Sequence, residues 1–212
     1  MDQFKKALVQ QIRLRLAETW LSRVCTLTTW LDELASEYVT DDIDQSPLQS
    51  TDDFLTTDAG HSKKRRILNT PSNDISPTLS VLKTGQARVK RECFLVLRAC
   101  DETRILVNLR FPDTPSHTLK VLEDVLSELS QVQTACTTIR ASISQYALSR
   151  AKALRKTSTV GLSDFAAAAG ASAVLEIDEE AVFHLFQHLA QLRNIYVVLY
   201  TLLQKHRVLL GL

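Results

Sequence analysis

Glu180, His184 and His188 stand at i, i+4 and i+8, nearly one face of a helix, and two histidines four residues apart can hold zinc. Their neighbours speak against that chemistry. The segment HLFQH places Leu185 where a zinc protease needs a glutamate base, and no Glu-x-x-His occurs anywhere in the chain, which removes the di-iron bundle pattern. The sequence therefore predicts no metal and no cofactor, with these histidines making polar contacts on a packed helix. It also has no GxSxG, no P-loop and no glycine-rich phosphate cradle, so no enzyme is expected.

Four cysteines, Cys25, Cys93, Cys100 and Cys136, form no CxxC and each sits within an apolar pattern. They read as buried reduced thiols of an intracellular protein. KKRR, at Lys63, Lys64, Arg65 and Arg66, is the one dense basic cluster, in an otherwise acidic stretch. It is either a solvated charge run or, presented as an extended peptide to an import receptor, a nuclear localisation signal. Ser46-Pro47, Thr70-Pro71 and Ser76-Pro77 could take phosphate from proline-directed kinases, and a phosphate at Thr70 would oppose the tetrad's charge. With 25 Lys plus Arg against 24 Asp plus Glu, no global field draws the chain to nucleic acid or to an anionic membrane. The opening MDQFKKALVQQIRLRL is charged throughout, unlike a secretory signal. The longest strongly apolar run, IYVVLYTLL, falls well short of the roughly 18 residues of a membrane span.

The elements that carry these residues are long helices. Five Gly and five Pro in 212 residues leave too little turn punctuation for a sheet protein. Phe4, Leu8, Ile12, Leu16, Trp20, Val24, Leu27, Leu31 and Leu34 recur at four and three, predicting a helix over about 3–39. From 40 to 75 the pattern dissolves into Asp, Ser, Thr and Pro, which reads as a linker. Ser76 then caps a helix whose first residue is Pro77, and the series Leu79, Leu82, Gln86, Val89, Cys93, Val96, Cys100, Thr103 and Val107 carries it to about 110. After a turn at 111–117, Leu122, Val125, Leu129, Val132, Cys136, Ile139, Ile143 and Tyr146 predict a third helix over about 118–157. Glycines and serines in STVGLSDFAAAAGASAVLE suggest a loop over 158–176. Asp178 is then expected to cap a fourth helix over about 177–208, with Val182, Leu185, Leu189, Leu192, Tyr196, Leu199 and Leu203 as its stripe.

Consecutive helices with one very short connection predict an all-α, up-down-up-down four-helix bundle in a single domain, 1–212. That topology puts the 111–117 turn and the end of the fourth helix at one pole. Phe183, Phe186, Ala190, Val197 and Tyr200 give the fourth helix a second apolar face. Leaving such side chains in water forgoes about 1.5 to 3 kcal/mol each, so a neighbouring subunit is expected to cover them.

ISQYALSRAKALRK, followed by EIDEEAVFHLFQHLAQLRNIYVVLYTLLQK, resembles the 11S proteasome activator (REG) family, and within it the gamma member. That family shows a similar Ile-Ser-x-Tyr and Arg-Ala-Lys, then Glu-Ile-Asp-Glu and Leu-Arg-Asn-x-Tyr. The similarity runs from MDQFKKALVQQI through the whole chain, and KKRR looks like the gamma member's nuclear signal. The resemblance implies a non-catalytic, ATP-independent regulator. Its homoheptameric ring would dock on the α ring of the 20S proteasome, in the nucleus or also in the cytoplasm. It implies docking by the C-terminal residues, here Leu210, Gly211 and Leu212, and gate opening by the loop at Pro112, Asp113, Thr114, Pro115, Ser116 and His117. Of that loop only Pro112 matches the family pattern, because the segment is shorter and lacks the Gly-Asn pair. The other reading is a divergent or truncated paralogue serving as a helical oligomer or adaptor without proteasome activation.

Overall fold

A computed structural model describes residues 2–43, 77–113, 115–157 and 164–212, and among them the chain is helical throughout, with no strand. Its helices are α1 (Asp2–Leu14), α2 (Trp20–Ile43), α3 (Pro77–Arg110), α4 (Ser116–Thr157), α5 (Asp164–Lys205) and the short α6 (Arg207–Leu210). One π-helical turn, Arg15–Thr19, joins α1 to α2 into one rod. Its cause is legible in the apolar spacing. Leu8, Ile12, Leu16, Trp20 and Val24 follow one another at intervals of four, and each such step overshoots a full α-helical turn by about 40°. A wider turn absorbs the drift. Leu8, Ile12, Leu16 and Trp20 are consequently all buried, whereas Phe4 at the start of the stripe is 53% exposed.

The four rods form the expected bundle. The α1–α2 rod packs on α3 and α5, α4 packs on α3 and α5, and α3 also meets α5 across the centre. Polar contacts fix the directions. Arg15 pairs with Glu102 and Arg23 with Glu92, so the first rod runs antiparallel to α3. Arg104 donates to Ser130 and Gln133, and Gln133 to Asp101, which sets α4 antiparallel to α3. Tyr146 and Arg150 both donate to Asp178, tying α4 to α5 at one height. Gly85 permits the central approach of α3 to α5, since a Cβ there would lie 2.5 Å from Leu185 Cδ2. The core is the set of predicted stripes. Leu82, Val89, Val96, Val107, Leu122, Leu129, Leu189, Leu192, Leu199 and Leu203 are all buried in one cluster.

Several expectations are corrected. The predicted loop over 158–176 is helical from Asp164 onward. Ala166 to Ala169 outweigh one interior glycine, because alanine is the best helix former and glycine costs only about 1 kcal/mol. Asp178 is therefore no cap. It sits well inside α5, where its carboxylate accepts from the Tyr146 hydroxyl at 2.7 Å and from Arg150 Nε at 2.8 Å. α2 runs on to Ile43, beyond the predicted end at 39. Cys25 is exposed, whereas Cys93, Cys100 and Cys136 are buried free thiols. The rest of the predicted linker, with Lys63 to Arg66, lies outside the described residues.

One polar cluster crosses the middle of the core. Glu92 on α3 accepts from Arg23 Nη1 at 2.7 and 2.9 Å and from the Tyr196 hydroxyl of α5 at 2.7 Å. Trp20 meets the Tyr196 ring edge-on, with centroids 6.3 Å apart. Burial and the Glu92 charge hold the Tyr196 phenol well above its usual pKa, so it stays a donor. We predict that Tyr196→Phe costs about 1 kcal/mol and lowers the melting temperature by roughly 2–4 °C in a chain of this size. An unchanged melting temperature in calorimetry would show that the hydroxyl contributes nothing to holding α5 on α3.

Candidate functional site

Two constellations were candidates from sequence. Glu180, His184 and His188 do share one side of α5. The His184 and His188 rings stack with centroids 6.1 Å apart, beside Tyr146 and Ser142 of α4. Among the described residues no group of three His, Cys, Asp or Glu side chains is placed to hold a metal ion. Burial, and then the neighbouring His184, lower the pKa of His188. A stacked, partly buried pair of rings is a packing contact with a titratable cost.

The second constellation is the pole where α3 ends. A 3-10 turn, Phe111–Asp113, follows α3 directly, and α4 begins at Ser116. Proline 112 suits such a turn because its φ is already near helical values. The Pro115 carbonyl accepts from both the backbone N–H and the hydroxyl of Thr118, at 2.9 and 2.8 Å, closing the first turn of α4. Pro112, Pro115, Ser116 and His117 are exposed. Thr114 lies outside the described residues, as does the side chain of Asp113.

Leu210, Gly211 and Leu212 reach the same pole, as the topology required, but they fold back onto the bundle. After α5 the chain breaks at His206, forms α6, and reverses at Gly211, whose φ of 69° is in the left-handed region open to glycine. Leu210 and Leu212 are buried at 0% and 7% exposure. Arg110 Nη2 donates to the Leu210 carbonyl at 3.0 Å, Arg13 Nη2 to the Gly211 carbonyl at 3.0 Å, and Arg207 Nε to the Leu212 carbonyl at 3.0 Å. Lys5 Nζ reaches the Leu109 carbonyl at 3.4 Å. The pole thus joins α1, the end of α3 and residues 207–212 in one polar lattice.

Sequence reasoning missed Lys5, Arg13 and Arg110, whose role depends on which carbonyls come to rest beside them. The one available signal was the Gly211 position directly after an apolar helical run, a known stop for helices.

These features define a class: a long-helix, antiparallel four-helix bundle with a polar lattice joining three of its chain segments at one pole. Known proteins show the same architecture. The sequence model of the family described as "Proteasome activator PA28, C-terminal" matches residues 77–208, which is more than half of the chain. The chain belongs to the PA28 proteasome activator family. Its fold is similar to that in the crystal structure of the 11S subunit of the Plasmodium falciparum proteasome, PA28. The TM-score is 0.63 at 19% identity, over 99% of this chain and 90% of that one. No curated protein matches the chain. Family membership makes it a member of a group of proteasome regulators, which act on a protease rather than as one. No described helix is long and apolar enough to cross a membrane.

The histidines supply a pH test. Burial first, and then a neighbouring cation, also lower the pKa of His206. Both histidines therefore bind fewer protons when folded than when unfolded. Their contribution to stability is complete above the ordinary histidine pKa of about 6.5 and is lost as pH falls below it. We predict that the melting temperature falls between about pH 7.5 and pH 5.5, and that His188→Gln removes part of the fall. Identical pH profiles for the two proteins would exclude His188 as a source.

Proposed function

We propose that this chain is a subunit of an 11S (REG-type) activator, of the gamma kind, which assembles as a homoheptameric ring. The ring docks on the α ring of the 20S proteasome and regulates gate opening and peptide hydrolysis without ATP. The observation that carries this reading is the family match over residues 77–208. Likeness of fold along nearly the whole chain supports it.

Packing supports the ring. On the α5 side Phe183, Val197 and Val198 are 59%, 46% and 46% exposed, and on the first rod Phe4, Leu14 and Leu21 are 53%, 50% and 49% exposed. A ring needs two different surfaces on each subunit, one for each neighbour. Apolar surface on these two rods suits that need.

At the pole, residues 112–117 act on the gate and residues 210–212 dock. A loop opens a gate only by binding the open form better than the closed one. Docking by 210–212 further requires that Arg13 and Arg110 release the Gly211 and Leu210 carbonyls. The buried state of Leu210 and Leu212 favours a second reading, an oligomeric adaptor that leaves the gate closed.

Fluorogenic peptide hydrolysis by purified 20S proteasome from the same organism separates the two. Stimulation of several-fold is expected, and glycine in place of residues 112–116 should abolish it while association persists. Confirmed association without any stimulation would leave only the adaptor.

We also propose nuclear localisation through Lys63 to Arg66, recognised by an import receptor, on the sequence pattern KKRR. Alanine at all four positions should move a fluorescent fusion to the cytoplasm. An equally nuclear variant would end this proposal.

A further inference from the structure

The rods pack in the cyclic order first rod, α3, α4, α5, so the outer face made by α3 and α4 lies opposite the one made by the first rod and α5. Both faces carry exposed apolar side chains, and their charges are of opposite sign. We propose that the α3–α4 face of one subunit docks on the face formed by the first rod and α5 of a second copy. This rests on the ring reading above and names the two surfaces that meet at each joint.

Levels along the bundle bring the apolar groups together. Phe94 on α3 and Leu148 on α4 are 57% and 50% exposed, and Leu21 on the first rod and Phe183 on α5 are 49% and 59% exposed. Arg23 meets Glu92, which puts Leu21 level with Phe94. Tyr146 and His184 line one pocket, which puts Leu148 within a turn of the level of Phe183. Subunits that stand side by side in a closed ring are related by rotation without rise. Groups can therefore meet at the joint only where their levels agree, and both apolar pairs satisfy that condition.

Charge chooses the pairing. Lys83 and Lys90, seven residues apart on α3, are exposed along the edge toward α4, with Arg91 and Lys152 beside them. None of these four makes an ion pair among the described residues. Asp101, an exposed carboxylate of the same face, lies further toward the pole and accepts from Gln133. The opposite face carries Asp32 on α2 and Glu176, Glu179 and Glu180 on α5, all exposed and likewise in no ion pair among the described residues. Gly85 lies against Leu185 and Arg150 against Asp178, so Lys83 and Lys152 bracket the height of the acidic run of α5. Arg88 over the Trp30 ring brings Asp32 to the height of Lys83 and Lys90. Two basic faces, or two acidic ones, would set like charges against each other. That disfavours a two-fold pair and leaves the head-to-tail joint that closes into a ring.

The test follows the particle mass of the full chain by native mass spectrometry. Lys83→Glu with Lys90→Glu, and separately Glu176→Lys with Glu180→Lys, should each reduce the assembly to single subunits. These side chains are exposed, so both variants should fold, which circular dichroism and melting confirm. All four changes in one chain exchange the sign of both faces and should restore the natural mass. A second measurement uses Cys25, exposed one turn beyond Leu21. With a bismaleimide, Phe94→Cys should give covalent ladders beyond the dimer, which the natural chain should not. An assembly whose mass neither reversal changes would overturn the docking surface and leave the ring reading standing. So would a folded quadruple variant that fails to reassemble, or ladders of Phe94→Cys that stop at the dimer. A natural chain that runs as a single subunit or as a two-fold dimer would end both readings.

Discussion

Glu92 is the contact on which the rest of the bundle depends. A carboxylate placed among apolar stripes is costly unless its oxygens are satisfied, and here Arg23 from α2 and Tyr196 from α5 supply the donors. Three of the four rods therefore meet at one height. Apolar stripes alone do not choose that height, because leucines spaced at three and four pack nearly as well after a slip of one turn. Such a slip, about 5.4 Å, would strand the Glu92 charge. It would also carry Lys5 away from the Leu109 carbonyl and Arg110 away from the Leu210 carbonyl. Register set at the middle of the bundle decides which residues arrive together at its pole.

The fourth rod is registered by other means. Arg104, Gln133 and Asp101 link α3 to α4 near one end. Asp178, with Tyr146 and Arg150, links α4 to α5 near the other. Desolvation of Tyr146, and then its bond to Asp178, hold that phenol above its usual pKa, so it too serves as a fixed donor. The Arg150–Asp178 pair is as sheltered as the Arg23–Glu92 pair, whereas Gln133 reaches Asp101 at the exposed surface. Their value is directional: they specify antiparallel neighbours at chosen heights where apolar packing does not discriminate.

The parts of the architecture that were legible in the sequence were those governed by periodicity. The stripes from Leu8 to Trp20, from Leu82 to Val107, from Leu122 to Ile143 and from Val182 to Leu203 became the core because burying one face of each rod leaves few alternatives. Local propensity was less decisive. Glycines and serines around Ala166 to Ala169 resembled a loop, yet helix extends to Asp164, because alanine-rich sequence adopts helix wherever neighbouring turns are already nucleated. Asp178 looked like a cap because an acidic cluster suits a helix start. Its role instead follows from Tyr146 and Arg150 lying opposite it, a fact of three dimensions. The same holds at the pole, where Arg13 gains its meaning from Gly211, far along the chain.

A turn that works on a partner must be stiff enough to transmit force and free enough to reach. Among the described residues of the turn, 111–113 and 115–116, both properties have identifiable reasons. The Leu109 carbonyl is held by Lys5, and the Pro115 carbonyl by Thr118, so both ends of the turn are pinned to helices. Two prolines restrict the backbone between those pins, while Pro112 and Ser116 remain exposed to solvent. A longer, glycine-containing loop would reach further but would pay in conformational entropy each time it ordered against a surface. The shorter loop reduces that cost and narrows the geometries it can satisfy. If the turn acts on a gate as proposed, its reach is set by where the bundle places it, and seating of the whole subunit is part of that proposal.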